Sequence, residues 1–529
     1  MKSFDLLVIG GGVNGTGIAR DAAMRGLSVC LVEKKDFAAG ASGANTGMIH
    51  GGARYLLHDA KVTKLSCLDS GYIQKIAPHL LFRIPFLVPL LPSGHEMFDK
   101  AYAYGVECYF EEYDRYQPLK NGKPHTRLSD AELHELEPGI VEATFGAVTM
   151  DEYGIDPFRL CTLNARSAAE HGAEVRTHAQ VTRVSPGWLL ELNGSETVKA
   201  TAVFNAAGPW APKVAALAGF DLRIRPGKGV HVTLDRRLSN YGIICKAIDG
   251  RDVFVMPHED SSIVGTTDDD FYGDPDEVTV SHDEVEYLLT AVERTFPAVR
   301  QARVLRAWAG VRPTLFQYGP LEDRLSRDHR IYDHGEGFYS IVGGKLASFR
   351  AMAEEAVDVV AARLAKGARC ETHRKPLPGG QRAAPAAEEL SRRYDVPAFA
   401  AARLAYRHGA EAGQVLELAD DQPDLRAVCC PCEGVTFAEL EFSRTREYAP
   451  SLLDLRRRCR LAMGVCQGAR CIGPAAGLVG DLQQARDLLD ERWKGQRPVL
   501  GGDGLAQAEL LQGTYFGTGA IGRAEAPWR

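Results

Sequence analysis

The chain has 529 residues, a hydrophobic content of 45%, a charged content of 25% and a formal net charge of −7. This length exceeds what one hydrophobic core supports, so we expect two or more globular domains. The negative charge argues against nucleic acid as the main partner. The start of the chain lacks the pattern of a signal peptide, and the apolar run at residues 80–92 is too short and too rich in proline to span a bilayer.

The N-terminal segment predicts a strand–helix–strand unit that binds a dinucleotide. FDLLVIGGGVNGTGIARDAAMRGLSVCLVEK (residues 4–34) reads as an apolar strand, a glycine-rich turn, a helix and a second strand over Leu27–Val32, which is followed by Glu33. The glycines permit a tight turn, close approach of a pyrophosphate and close packing of the helix, while the glutamate can bind the adenosine ribose. The fingerprint glycines are Gly10, Gly12 and Gly15.

Three glycine turns in order favour FAD over NAD. After the first turn, residues 34–56 form a long stretch of small and polar residues without helical periodicity, which suits an extended cofactor. VFNAAGPWA (203–211) predicts a short strand ending in a glycine turn, and SIVGGKLASFR (340–350) predicts a strand, a Gly-Gly turn and a helix. We therefore predict an α/β fold with an FAD-binding Rossmann-like domain.

Six of the twelve cysteines lie between positions 429 and 471, and four of them form C-x-C and C-x4-C pairs. Four thiolates suit an iron–sulfur cluster or zinc. Zinc ribbons use C-x2-C pairs, so the spacing favours iron–sulfur and leaves zinc open. The four cysteines of the two pairs are Cys430, Cys432, Cys466 and Cys471.

Several motifs together make the chain resemble the FAD-dependent glycerol-3-phosphate dehydrogenases, within the D-amino-acid oxidase-like group. The most specific are IHGGARYL, AGVRP and GGKLASFR, which accompany DEYGIDPFRL, VMPHEDSSIVGTTD and LSRDH. The cysteine segment resembles a bacterioferritin-associated-ferredoxin-like [2Fe-2S] module, which the anaerobic members of this family carry. This resemblance implies that Cys430, Cys432, Cys466 and Cys471 are the cluster ligands. Cys429 adjoins the first ligand and could replace it, whereas Cys459 is left out because relatives often have another residue there. The resemblance covers nearly the whole chain. It implies oxidation of sn-glycerol 3-phosphate to dihydroxyacetone phosphate, with FAD as the hydride acceptor.

The resemblance also implies the roles of individual residues. Arg54 and Arg327, with help from Tyr55, would bind the substrate phosphate. Arg312 and Lys345 would stabilise the developing alkoxide and the reduced flavin, and His231 would accept the hydroxyl proton, a role that suits a side chain with a near-neutral pKa. Cofactor contacts are expected from Gly10, Gly12, Gly15, Glu33, Ser42, Asn45, Thr46, Met48, His50, Val181, Gly208, Gly343, Gly344 and Lys345.

A larger assembly follows from the same resemblance. Electrons would pass through the [2Fe-2S] cluster to partner subunits and indirectly to a membrane quinone, and FMN is possible in the complex. We accordingly expect a cytoplasmic chain attached by its partners to the cytoplasmic face of the inner membrane.

The expected domains are an FAD domain with an interleaved substrate-binding sheet (1–375), a linker with helices (376–425), the [2Fe-2S] domain (426–480) and a C-terminal tail (481–529). Two other functions remain open from the residues alone. One is a flavin enzyme for an amine or a 2-hydroxy acid, which would not need the four cations. The other is a non-catalytic electron-transfer or iron-delivery protein, which would leave those cations unexplained.

Overall fold

The chain divides into two units in a computed structural model that describes residues 1–57, 59–319 and 325–518. The first unit comprises Met1–Arg303 and Trp308–Pro376, and the second comprises Val304–Ala307 and Leu377–Arg529. The end of the predicted tail (519–529) lies outside the described residues. The finer boundaries proposed from the sequence stay a prediction.

The first unit contains two sheets and the helices that cover them. Its strands are β1 (Ser3–Ile9), β2 (Val29–Val32), β3 (Leu81–Pro89), β4 (Arg127–Leu128), β5 (Ala147–Ile155), β6 (Glu174–Arg176), β7 (Val181–Ser185), β8 (Leu189–Leu192), β9 (Glu196–Asn205), β10 (Ile224–Leu234), β11 (Gly242–Lys246), β12 (Asp252–His258), β13 (Ser261–Gly265), β14 (Asp269–Asp270), β15 (Val304–Leu315), β16 (His329–Asp333) and β17 (Phe338–Gly343). Its helices are α1 (Val13–Met24), α2 (Ala60–Ile76), α3 (Glu96–Asp114), α4 (Asp130–Leu136), α5 (Pro157–Glu170), α6 (Ala211–Leu217), α7 (His282–Glu293) and α8 (Phe349–Leu364).

The first sheet has the strand order β16-β17-β9-β1-β2-β6, and the β7–β8 hairpin extends it from β9. Strands β17, β9, β1, β2 and β6 run parallel. Parallel strands covered on both faces are apolar without interruption, and Leu6, Leu7 and Val8 of β1 are fully buried. The sheet therefore forms a core of the first unit, with α1 packed against α5 and α8. Strand β2 begins at Val29, two residues after the predicted start.

The second sheet is largely antiparallel and has the order β14-β10-β13-β12-β11-β3-β5-β4, with β15 paired to β10. Its strands alternate along the chain with those of the first sheet, so the chain crosses between the two sheets several times. This arrangement confirms the predicted α/β fold with an inserted second sheet.

The second unit is mainly helical, which agrees with the predicted helical C-terminal part. It contains β18 (Val428–Cys430), β19 (Val435–Thr436), α9 (Ala387–Tyr394), α10 (Ala398–His408), α11 (Ala412–Asp421), α12 (Phe437–Arg446), α13 (Leu452–Cys459), α14 (Ile472–Val479), α15 (Leu482–Gln496) and α16 (Gly502–Gly513). None of the helices in the described ranges is both long and apolar enough to cross a membrane.

Candidate active site

The glycine-rich turn between β1 and α1 packs backbone directly against backbone. Gly10 has a φ of +117°, which side chains rarely adopt, and a Cβ there would lie 2.6 Å from the carbonyl oxygen of Ala206. A Cβ on Gly15 would lie 1.8 Å from the carbonyl oxygen of Gly10. Because only glycine fits these positions, the turn can hold the N-terminus of α1 close to a bound pyrophosphate.

Glu33 closes the other side of this turn. Its Oε2 accepts a hydrogen bond of 2.6 Å from the Gly11 N–H, and its Oε1 accepts one of 2.8 Å from the Lys35 N–H. Burial raises the pKa of Glu33, although both hydrogen bonds oppose that change. The carboxylate is thus fixed at the end of β2, where a ribose would reach it.

A cavity of about 1280 Å³ extends from the glycine turn into the region between the two sheets. Ser42 lies on its wall and accepts a hydrogen bond of 2.9 Å from the Val13 N–H, which ties the long loop after β2 to the start of α1. Of the predicted cofactor residues, Gly15 alone is absent from the lining, because it packs under the turn. The others in the lining are Gly10, Gly12, Glu33, Ser42, Asn45, Thr46, Met48, His50, Val181, Gly208, Gly343, Gly344 and Lys345.

Replacement of Gly15 by Ala should weaken FAD binding. Overpacking costs about 1–3 kcal/mol, so we expect the affinity to fall about 5- to 150-fold. The measurement is the FAD content and dissociation constant of the purified variant. Gly473→Ala is the matched control, since a Cβ there has no neighbouring atom within 4 Å. Normal FAD affinity in Gly15→Ala would refute this reading of the turn.

Three arginines converge on one carboxylate at the far end of the cavity. Asp268 Oδ1 accepts from Arg312 Nη1 and Asp268 Oδ2 accepts from Arg327 Nη2, both at 2.8 Å. Arg54 Nη2 lies 3.9 Å from Asp268 Oδ2 and is buried without a hydrogen-bond partner among the described residues. Excess positive charge and an unsatisfied buried donor are what an anionic ligand needs.

Tyr55 and Lys345 complete this positive group. Burial raises the pKa of Tyr55, but the charges of Arg54, Arg327 and Lys345 outweigh it and bring the value down to about 8. Burial lowers the pKa of Lys345 to about 8. The lysine ammonium lies 5.1 Å from the centre of the Tyr55 ring, a favourable cation–π distance. The five residues predicted to bind the substrate or to stabilise its charge all line this cavity, although their roles stay a prediction. They are Arg54, Tyr55, Arg312, Arg327 and Lys345.

The two predicted histidines also line the cavity. His231, on β10, is 3% exposed and stacks on Trp308 with ring centres 5.3 Å apart. Its Nδ1 has no hydrogen-bond partner among the described residues. Burial and the Arg312 charge lower the pKa of His231 to about 3, so the near-neutral pKa expected from the sequence is not found. Burial, with the charges of Lys345, Arg54 and Lys120, likewise lowers the pKa of His50.

Asp268 is the central residue of the site that the sequence reasoning did not single out. It follows Thr266 and Thr267 in a segment that the sequence marks only as part of a longer motif. Thr266 Oγ1 accepts a hydrogen bond of 3.1 Å from Arg312 Nη2, and Thr314 Oγ1 accepts one of 3.2 Å from Arg327 Nη1. The available signal was an acidic residue beside two threonines within the motif VMPHEDSSIVGTTD.

The second unit brings the four predicted cysteine ligands together as two pairs. The Cys430 thiol is hydrogen-bonded to Cys471, and the Cys432 thiol to Cys466. The hydrogen bond from Cys471 lowers the pKa of Cys430 to about 7, whereas burial raises the pKa of Cys432 to about 11. Within the described ranges, no three His, Cys, Asp or Glu side chains stand in the arrangement of a metal site. The four sulfur donors are nevertheless of the type that binds an iron–sulfur cluster.

A buried ion-pair network fixes the loop that carries the first cysteine pair. Arg407 binds the Glu439 carboxylate at 2.6 and 2.7 Å and donates to the carbonyl oxygen of Glu433 at 3.0 Å. His408 Nε2 lies 3.0 Å from Glu439 Oε1. Helix α10 thereby holds the turn after Cys432 in place.

Known proteins are similar to this chain over nearly its whole length. The model of the FAD dependent oxidoreductase family matches residues 5–359, and the model of the C-terminal domain of alpha-glycerophosphate oxidase matches residues 370–484. An anaerobic glycerol-3-phosphate dehydrogenase subunit of Escherichia coli is 34% identical over 98% of this chain and 97% of that protein. Its counterpart in Haloferax volcanii is also 34% identical, over 99% of this chain and 92% of that protein.

Solved structures support the same fold. The glycerol-3-phosphate dehydrogenase of Bacillus halodurans, determined with FAD, superposes with a TM-score of 0.73 and 24% identity over 95% of this chain and 97% of that chain. The L-alpha-glycerophosphate oxidase of Mycoplasma pneumoniae gives a TM-score of 0.56 and 23% identity over 72% of this chain and 100% of that chain.

Proposed function

Since the chain belongs to the family of FAD-dependent glycerol-3-phosphate dehydrogenases, we propose that it oxidises sn-glycerol 3-phosphate to dihydroxyacetone phosphate. The observation that carries this proposal is the positive group around Asp268, in the same cavity as the glycine turn. A 2-hydroxy acid carries only one negative charge and an amine carries none, so a phosphate dianion accounts better for so many cations in one site.

In the proposed mechanism, Arg54 and Arg327 bind the phosphate and the Tyr55 hydroxyl assists them. Arg54 supplies a buried donor that lacks a partner among the described residues. Arg312 and protonated Lys345 lie on the carbinol side and stabilise negative charge on its oxygen. Bound FAD supplies the two-electron acceptor that takes the carbinol hydrogen as hydride.

His231 is proposed to accept the hydroxyl proton. Because its pKa is about 3, the imidazole is neutral at physiological pH and is a weak base. Proton transfer to it therefore depends on Arg312 and Lys345, which lower the pKa of the substrate hydroxyl as charge develops. The resulting imidazolium beside Arg312 would release its proton readily.

We further propose that Cys430, Cys432, Cys466 and Cys471 hold a [2Fe-2S] cluster, which supplies a one-electron acceptor for the reduced cofactor. The pairwise contacts of the four thiols and the spacing of the cysteines support this assignment. The names of the relatives support a multisubunit complex. The proposal includes a cytoplasmic location for this chain, with partner subunits that attach it to the cytoplasmic face of the inner membrane. It also includes indirect delivery of electrons to quinone, and FMN in the complex.

An anaerobic titration followed by visible absorption tests the proposed activity. We expect sn-glycerol 3-phosphate to bleach the flavin bands of the purified holoenzyme. Glycerol is the matched control, because it has the carbinols and lacks the phosphate, and it should bleach the flavin only at far higher concentration. If sn-glycerol 3-phosphate leaves the flavin oxidised while an amine or a 2-hydroxy acid reduces it, the proposed substrate is wrong.

A further inference from the structure

One peptide unit in the cavity wall, between His50 and Gly51, is hydrogen-bonded to a charged side chain at each end. Its carbonyl oxygen accepts a hydrogen bond of 3.2 Å from Lys345 Nζ, and its N–H donates one of 3.3 Å to Glu152 Oε2. The cation faces the negative end of the peptide dipole and the carboxylate faces the positive end. The two bonds therefore polarise the peptide in the same sense and strengthen each other.

Glu152 lies on β5, within the motif DEYGIDPFRL that the mechanism above leaves without a role. Its side chain and that of Lys120 are fully buried and form an ion pair of 2.5 Å. Tyr113 donates a hydrogen bond of 2.6 Å to the other carboxylate oxygen, and Lys120 Nζ also donates one of 2.7 Å to the Asp151 carbonyl oxygen. Each carboxylate oxygen of Glu152 thus has a side-chain partner in addition to the contact with the peptide.

The segment that contains this peptide has little room to move. A Cβ on Gly51 would lie 2.3 Å from both Cys67 Sγ and the Tyr113 hydroxyl oxygen. A Cβ on Gly52, whose φ is +80°, would lie 2.5 Å from Lys345 Nζ. The chain continues directly into Arg54 and Tyr55, so the position of this peptide also affects the substrate-side residues that follow it.

We propose that Glu152 is a positioning residue for the oxidation, which acts through the His50–Gly51 peptide to hold Lys345 in place and in its protonated form. This inference rests on the proposed role of Lys345 at the substrate. Groups from several elements face the lysine: Tyr55 and Arg54 from the turn after Gly52, Cys67 from α2 and Glu152 from β5.

These neighbours determine how the Glu152 charge affects the pKa of Lys345. Burial is the main influence and lowers the pKa of Lys345 to about 8, while Tyr55, Cys67 and Glu152 raise it and Arg54 lowers it. Removal of the Glu152 charge therefore lowers the pKa further. Lys345 should then lose its proton at a lower pH than in the wild-type protein.

The test uses Glu152→Gln alone and combined with Lys120→Met, both as FAD-containing full-length protein. Glutamine keeps the shape of the side chain, and the second change removes a cation that would otherwise be buried without its partner. Acetic anhydride labelling of Lys345 across pH, read by peptide mass spectrometry, reports the protonation of this lysine directly. The alkaline limb of kcat/KM for sn-glycerol 3-phosphate provides the functional measurement.

We expect both the labelling midpoint and the alkaline limb to move to lower pH in Glu152→Gln. The shift should be smaller in the double variant, because loss of the Lys120 cation acts on the pKa of Lys345 in the opposite sense. Asp151→Asn is the matched control, because that neighbouring carboxylate pairs with Arg83 at 2.6 Å, and it should leave the midpoint unchanged. A wild-type midpoint in the FAD-containing Glu152→Gln protein overturns the inference and leaves Glu152 a structural role only. Failure of the wild-type protein to oxidise the substrate would refute the proposed function, while the labelling still decides the inference.

Discussion

Replacement of Arg327 by Met is expected to lower kcat/KM for sn-glycerol 3-phosphate while FAD content stays at the wild-type level. The variant loses the 2.8 Å ion pair with Asp268 and the proposed contact with the phosphate. A hydrogen bond between charged groups is worth about 1.5–3 kcal/mol, so the loss should be about 10- to 150-fold. Because a phosphate contact is present both before and during hydride transfer, most of the change should be in KM.

Comparison of two substrates makes this experiment specific. Oxidation of glycerol, which has no phosphate, should be much less affected by Arg327→Met. Arg330→Met is the control variant, since Arg330 is an exposed residue of β16 on the same stretch of chain. An equal loss of activity towards both substrates would show that Arg327 does not act as a phosphate ligand.

Double replacement of Cys430 and Cys471 by Ser is expected to abolish iron and sulfide binding. A [2Fe-2S] cluster needs four thiolates, and these two thiols form one of the pairs in the second unit. Flavin reduction by substrate should continue, because the proposed chemistry at the carbinol uses residues of the first unit. Transfer of electrons to a one-electron acceptor should be lost. Iron, sulfide and zinc per chain, with electron paramagnetic resonance after reduction, are the measurements.

Two other buried cysteines serve as controls for this prediction. Cys459→Ala should retain the cluster, since the Cys459 thiol donates to the Leu455 carbonyl oxygen at 3.0 Å within its own helix. Cys429→Ala tests whether the thiol adjacent to the first pair takes part. Stoichiometric zinc without sulfide in the wild-type protein would replace the cluster by a zinc site, and iron retained by the double variant would exclude these ligands.

Local patterns in the sequence were sufficient to predict the glycine-rich turn between β1 and α1. Its glycines, strand and helix are consecutive, so their spacing already determines the geometry. The group around Asp268 could not be predicted in this way, because Asp268, Arg312 and Arg327 come from separate parts of the chain and meet only through the topology of the second sheet. Likewise, the pKa of His231 depends on burial and on Arg312, neither of which its own segment reveals.

Helix α12 also shows the difference between a local sequence pattern and a contact made by distant parts of the chain. Thr436 accepts a hydrogen bond of 3.2 Å from the Glu439 N–H, as a helix N-cap does. The Glu439 carboxylate instead binds Arg407 and His408 in the interior. Thr–x–x–Glu is the pattern of a capping box, in which the glutamate would bind the N-cap backbone. A tertiary ion pair has taken precedence over that local interaction.

The alternation of strands between the two sheets has a consequence for biosynthesis. Strand β17 joins the first sheet by pairing with β9, although the whole run from β10 to β15 lies between them in the chain. The Gly343–Lys345 turn that closes the cavity is therefore made long after the glycine fingerprint has left the ribosome. A nascent chain that ends before this turn carries the fingerprint without a complete site, so we expect FAD to bind late in synthesis or after release.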